Sequence, residues 1–308
     1  MDNMKDRNHY SSNEDEIDLR EIFVAVWQGK WFISAVTLVV AVFAVFYSLS
    51  LPNIYKSDAL LAPVDGESSR GVSGQLGGLA ALAGVNIDGG RADKAAVALE
   101  VLKSRDFIGR FIERHDLFAT VMAAEKWEQV SNRLIFDSRI YNEDLNKWVR
   151  PVKAPFDSKP SLLESYEVFS KALTVSQDKT SGLISISFEH VSPYEAHRIL
   201  ELLLVDINNE MRKRDLNESK RSIDYLNAEL ARTNLSEART MLFSLIEEQT
   251  KTLMLANIRS EYVFNIVDPA VVPEKKSKPA RAMICIILVS ISIIASIFIV
   301  LVRYFFRK

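Results

Sequence analysis

Residues 31–51 read WFISAVTLVVAVFAVFYSLSL, and residues 282–302 read AMICIILVSISIIASIFIVLV. Neither stretch holds a charged residue, a glycine or a proline. Each is about 20 residues long, enough for a helix to cross a hydrocarbon core of about 30 Å. A soluble helix rarely stays apolar on every face for that distance, because one face must meet water. Trp27, Trp31 and Tyr47 around the first run, and Tyr304, Phe305 and Phe306 after the second, suit the amphipathic belt at a membrane interface. The two runs therefore predict an integral membrane protein with two transmembrane helices.

Working outward, five segments follow. Residues 1–30 form an N-terminal segment, 31–51 the first span, 52–281 one large soluble domain, 282–302 the second span and 303–308 a tail. The rival for the first run is a signal peptide, whose apolar region is about 7–15 residues behind a short basic lead. Here the run is longer and its lead has mixed charge, although Ser48-Leu49-Ser50 weakly mimics a cleavage site. Two spans put both termini on one side. Charge leaves that side undecided: the tails offer Arg20, Lys30, Arg303, Arg307 and Lys308, the loop Lys56, Lys275, Lys276, Lys278 and Arg281.

Composition narrows the function classes. The chain has 308 residues, 25% of them charged, and a net charge of −2, so it carries no basic field for nucleic acid. One cysteine, Cys285, excludes an internal disulfide and a cysteine-based metal cage. The four histidines (His9, His115, His190 and His197) have no metal-ligand spacing, and His190, closing a strand, reads as a surface residue. Residues 66–90 hold eight of the eleven glycines, but no Gly-Lys pair occurs there to make a phosphate loop. The expectation is a flexible loop with a small-residue helical patch at Leu79–Gly84. Neither a nucleophile elbow nor a dinucleotide fingerprint occurs, so the sequence predicts no catalytic site, no metal and no cofactor.

The soluble domain mixes two textures. Residues 1–16 are polar and read as disordered; Asp18 and Glu21 then suggest a capped amphipathic helix through Leu19, Ile22, Phe23, Val26 and Trp27. Residues 54–61, IYKSDALL, read as a strand. From Ala92 to Phe118 the apolar positions Ala95, Leu99, Leu102, Phe107, Phe111 and Ile112 have helical spacing. Residues 119–165 read as short helices and proline-marked loops. Leu173–Val175 and Leu183–Phe188 flank a turn and predict a β-hairpin, and Tyr262–Val267 is a β-type run able to pair with the strand after the first span.

Between Pro193 and Pro269 there is no glycine or proline. Ser192 and Pro193 fit a helix start, and helical periodicity continues to about Ser260. The expectation is one long helix over about 194–260, apolar at its base and charged at Arg212–Arg221, with a seam at Leu226, Leu230, Ala238, Leu242 and Leu245. A break near Asn217 or Thr233–Asn234, making a helical hairpin, is the alternative. The fold class is α+β: two terminal transmembrane helices flank an α/β base with a very long projecting α-helix.

This order of parts resembles the Wzz polysaccharide co-polymerase family of chain length determinants. The resemblance rests on Ile17-Asp18-Leu19, on Leu51-Pro52-Asn53-Ile54-Tyr55, on the glycine-rich run near 71–90, on Gln249-Thr250-Lys251-Thr252, and above all on DPAVVPEKKSKP from Asp268 to Pro279 with Pro269 and Pro273. It implies a bacterial inner-membrane protein with both termini cytoplasmic, a periplasmic, membrane-proximal base, and a ring-like homo-oligomer with coiled-coil helices. It also implies no enzymatic activity, with a Wzy-type polymerase and a lipid-linked polysaccharide such as lipopolysaccharide O-antigen as partners. The runner-up is the membrane half of a capsule or exopolysaccharide export system with a separate tyrosine kinase. A two-span sensor predicts an output domain for which the tail after Val302 is too short. The second span lacks the glycine and proline common in the family. Ser292-x-x-x-Ser296 and Ala44-x-x-x-Ser48 instead offer close helix packing. Lys275, Lys276, Lys278 and Arg281 suit contact with membrane lipids or with a carrier phosphate.

Overall fold

A computed structural model describes residues 23, 26–64 and 92–307. The polar lead, the capping pair Asp18–Glu21 and the glycine-rich run with its patch at Leu79–Gly84 lie outside the described residues. The chain divides into two compact units, one holding the residues up to Leu51 together with Lys278 onward, the other running from Pro52 to Ser277.

The first unit pairs α1 (Lys30–Ser50) with α8 (Arg281–Arg307). Both are long and apolar enough to cross a membrane. At about 1.5 Å per residue α8 is about 40 Å long, so it outlasts a hydrocarbon core and carries Arg303 and Tyr304 past it. The helices run antiparallel in contact: a Cβ added at Gly29 would lie 2.5 Å from Val300 Cγ1, and Arg281 Nη2 donates to the Leu51 carbonyl at 3.3 Å. Their outward faces are large apolar side chains such as Phe46 and Ile294, the surface that lipid requires.

The second unit is built on an antiparallel sheet in the order β6-β7-β1-β8. Its strands are β1 (Tyr55–Pro63), β6 (Leu173–Gln177), β7 (Ile184–His190) and β8 (Phe264–Asp268). Burial alternates along β1, at Ser57, Ala59 and Leu61, as the period of two demands of a sheet with one covered face. The β6–β7 hairpin forms as the sequence suggests, with Val175 opposite Ile186, and β8 pairs with β1. A bulge at Val267 lets Asp268 pair with Leu60 although Ile266 pairs with Leu61.

Among the described residues, five helices cover or flank that sheet. The run from Ala92 divides into α2 (Ala92–Lys103) and α3 (Arg105–Arg114), because Ser104 turns extended and its hydroxyl accepts the Phe107 N–H. Both keep their apolar stripes buried. Phe107, Phe111, Phe169 and Phe188 form a chain of ring contacts through the core, with centroids 6.4, 5.7 and 4.8 Å apart. Phe169 belongs to α5 (Leu162–Ala172), which begins with a reciprocal capping box between Ser161 and Glu164. Between α4 (Phe118–Met122) and α5, the expectation of helices and loops is incomplete. Two small hairpins occur there, β2 (Ala124–Glu128) with β3 (Arg133–Phe136), and β4 (Tyr141–Asn142) with β5 (Lys147–Trp148).

The single helix over about 194–260 is corrected to two. The first, α6, is Pro193–Arg232, about 60 Å long, and it begins at the expected Ser192 cap and Pro193. Thr233 and Leu235 are extended, residues 233–235 belong to no helix, and α7 (Ser236–Ile258) folds back antiparallel against α6. The break falls at the second of the two sites that the sequence leaves open. Thr233 Oγ1 bonds back to the Glu229 carbonyl, and Arg239 Nη1 donates to the carbonyls of Leu230 and Thr233, both at 3.1 Å. These bonds satisfy groups that the end of α6 leaves without helical partners.

Candidate functional site

The strand after the first span and the strand before the second are hydrogen-bonded neighbours. Around that pair the second unit gathers the family-like proline segment and a column of charge. Pro269 has no N–H, so the β1–β8 ladder cannot continue past Asp268. The chain still follows β1. Ser57 Oγ donates to the Val271 carbonyl at 2.8 Å, and Ser277 N–H donates to the Ile54 carbonyl at 2.8 Å. The segment 269–277, with Pro273 half-buried, is thus a strap along the start of β1.

What holds β8 in place comes from α6. Asn208 is buried, and its Oδ1 accepts three backbone N–H groups, those of Tyr262, Val263 and Phe264, at 3.0, 2.9 and 3.1 Å. Its Nδ2 donates to the Leu204 carbonyl at 3.1 Å. One amide therefore stands in for a neighbouring strand where β8 begins. The sequence reading missed this residue. Its only signal is an amide at helical spacing from Leu204 and Met211, on the apolar face of α6.

Acidic residues on α6 meet basic partners on α2 and α3. Asp206 accepts from Arg114 at 2.7 Å and contacts His115 Nε2 at 3.0 Å. Glu210 takes a bidentate pair from Arg110, at 3.1 and 3.0 Å, and a further bond from Arg214. Hydrogen bonding by Arg110 holds the Glu210 carboxyl down at about 2 and pushes the Arg110 guanidinium up. Asp215 accepts from Lys94 Nζ and from the Tyr262 hydroxyl, both at 2.6 Å. Burial first, and then Asp215, pushes the Tyr262 phenol up. Arg212 Nη2 caps the end of α7 through the carbonyls of Arg259 and Ser260. The charged middle of α6 thus pairs with other helices at its start rather than meeting solvent throughout.

His190 corrects a second expectation. It ends β7 as read, but it is buried. Ser192 N–H donates to Nδ1 at 3.1 Å, so Nε2 carries the proton and donates to the Thr120 carbonyl at 3.0 Å. Burial holds its pKa below the ordinary imidazole value. The side chain ties β7, the cap of α6 and α4 together.

The other sequence-predicted residues lie as follows. Lys275 and Lys276 are exposed in the second unit, with Lys276 Nζ 3.4 Å from Asn53 Oδ1. Lys278, exposed, and Pro279, joined by a cis peptide bond, belong to the first unit with Arg281. Ala44, Ser48, Ser292 and Ser296 are buried between α1 and α8. Ser296 Oγ bonds to the Ile293 carbonyl, while the hydroxyls of Ser48 and Ser292 have no partner among the described residues. Among the described residues no group of three His, Cys, Asp or Glu stands close enough to hold a metal ion.

The arrangement anchors, caps and braces; among the described residues it aligns no nucleophile with a base. A family model described as Wzz, chain length determinant protein, matches residues 15–115, which take in α1, β1, α2 and α3. Among solved structures, a full-length bacterial polysaccharide co-polymerase is 14% identical over 94% of this chain and 98% of that one, with a TM-score of 0.39. A fragment of WzzB, the polysaccharide co-polymerase from Salmonella Typhimurium, is 15% identical over 73% of this chain and 100% of that one, with a TM-score of 0.29. No curated protein matches the chain.

Proposed function

We propose that this chain, whose residues 15–115 match the Wzz chain length determinant family, sets the length of a bacterial surface polysaccharide without catalysing its synthesis. The family match carries the reading. It runs from before the first apolar helix into the core of the second unit, so it joins the membrane anchor to the base in one module. In this reading the protein is an inner-membrane scaffold with residues 52–281 periplasmic and both termini cytoplasmic. It works beside a Wzy-type polymerase on a lipid-linked glycan such as O-antigen.

Self-association is part of the proposal. Met241, Phe243, Met254 and Ile258 of α7, and Leu235 just before it, are all more than half exposed. Apolar side chains in such number on one helix favour coverage by another copy. The buried small residues Ala44, Ser48, Ser292 and Ser296 support close pairing of the two spans within each copy. Leucine at Ser292 and Ser296 is expected to weaken that pairing, read as lost cross-linking between cysteines placed on α1 and α8. Unchanged cross-linking would exclude it.

Lys275, Lys276, Lys278 and Arg281 offer cations for the phosphate of a lipid headgroup or of the glycan's lipid carrier. Glutamine at the three lysines is expected to shift glycan length if the carrier is the ligand. Unchanged length and assembly would reject the carrier.

The deciding experiment is deletion of the gene, with the surface polysaccharide run on a gel. Loss of a preferred length with polymer retained is the expected result. Loss of all polymer would instead support export with a separate kinase, and an unchanged ladder would reject both.

A further inference from the structure

An open groove of about 510 Å³ lies between α6 and α7, within the usual range for ligand clefts of about 300–1,000 Å³. Glu218, Arg221, Ser222 and Tyr225 reach it from α6, at the i, i+3, i+4 and i+7 spacing of a single helical face. Gln249 faces them from α7, and Leu226 and Leu245 supply an apolar lining. Tyr225 is 67% exposed, so its ring stands at the rim instead of filling the gap.

The polar groups there are unspent. The side chains of Glu218, Ser222, Tyr225 and Gln249 make no hydrogen bond among the described residues, and the Arg221 side chain gives only Nε, to the Asn217 carbonyl at 3.3 Å. Elsewhere on α6 the acidic side chains at 206, 210 and 215 are matched to cations. A carboxylate, a guanidinium, an amide, a hydroxyl and an open aromatic face thus line one cleft with an apolar floor.

Ligand chemistry follows from that inventory. An acyl chain would strand the charges without partners. A nucleic acid needs more than one cation and no carboxylate beside it. A packed helix from another copy would need partners for Glu218 and Arg221 at once. A sugar ring satisfies every group, because its hydroxyls both donate and accept while its C–H face is apolar and fits an aromatic ring. We propose that this groove binds a short segment of the glycan, with a pyranose ring stacked on Tyr225. Glu218 and Gln249 hold its hydroxyls from opposite helices, and Arg221 donates to its oxygens. The proposal rests on the glycan-length reading above and deepens it by locating the contact on the hairpin.

The test uses the full chain in lipid nanodiscs. The probe is the source bacterium's own surface polysaccharide, freed of lipid and cut to short oligosaccharides, followed by saturation-transfer NMR. Wild-type protein is expected to transfer saturation to the sugar protons. Tyr225→Ala with Gln249→Ala should bind at least about tenfold more weakly, and Tyr225→Trp, which keeps a stacking face, should bind like wild type. No transfer to wild-type protein, or binding by the double variant equal to wild type, would overturn the assignment. So would a double variant whose cross-linked oligomer changes size together with its binding, since the groove would then be a contact between copies. Failure of the parent reading is separable. If gene deletion leaves the glycan ladder unchanged, length control itself is rejected; if deletion alters the ladder while the double variant binds normally, only the groove is rejected.

Discussion

The two halves of α6 solve different problems with one continuous backbone. From Pro193 to Met211 the helix buries Ile199, Leu200, Leu203, Leu204 and Ile207 against the sheet and α2. From Arg212 onward, in α6 and all of α7, only Ser219 and Ala256 are buried among the described residues. The base is a packed core. The hairpin is a pair of helices with a half-buried seam, held by caps, local hydrogen bonds and the antiparallel contact itself. Its exposed apolar residues and its unspent polar groups are available to partners because folding does not consume them. Stability therefore belongs to the base, and in the proposal above recognition belongs to the hairpin.

That contrast can be broken by mutation. Phe111→Ala in the base is expected to cost about 3–5 kcal/mol, since the ring is fully buried against Phe107 and Phe169. Leu226→Ala in the hairpin seam should cost about 1 kcal/mol, the lost burial of a half-exposed side chain. Denaturant unfolding of the detergent-solubilised chain measures both, and equal losses would end the distinction.

Asn208→Ala probes the joint between base and strap. It strands three backbone N–H groups in the interior, so a loss of about 3 kcal/mol is expected. Amide exchange at residues 262–264 should speed up while that of β7 stays slow; equal speeding in both strands would mean that Asn208 is not a local anchor.

Acid should also act on the base. His190 is neutral in the fold, with its pKa held below the ordinary 6.5. Below about pH 6.5 the unfolded chain binds a proton that the folded chain refuses, so stability declines as pH falls. Glu164 and Glu210 work through depressed values of about 2, held there first by Arg150 and Arg110. Their contribution is complete above their ordinary 4.5 and is lost between there and about 2. Two steps are expected in a plot of melting temperature against pH. His190→Gln should remove the upper one, and its persistence would assign that step elsewhere.

The smallest effect is expected at the tip. Arg239→Ala removes two bonds to the last carbonyls of α6 and should cost about 1 kcal/mol or less. Faster amide exchange confined to residues near 230–240 would localise it, and a change reaching the base would show that the tip is not independent.

What was legible in the sequence was whatever local chemistry settles alone. The two apolar helices need no tertiary partner to be recognised, because a run that is apolar on every face has one suitable solvent. Ser192 and Pro193 set the start of α6 by capping and by a fixed φ, both properties of neighbouring residues. The β6–β7 hairpin is set by alternation around a short turn, where Asp178 Oδ1 takes the N–H groups of Thr180 and Ser181.

Only the tertiary structure decided the features that join distant residues. Thr233 and Asn234 are weak helix breakers, and the chain folds back there because α7 packs on α6 and Arg239 reaches its open carbonyls. His190 donates to a carbonyl 70 residues away, and Asn208 finds its partners 54–56 residues on. The groove did not exist in the sequence at all. Glu218, Tyr225 and Gln249 are neighbours only because the break at 233–235 returns α7 along the face of α6. Periodicity states which face a residue occupies, and packing alone states what that face will meet.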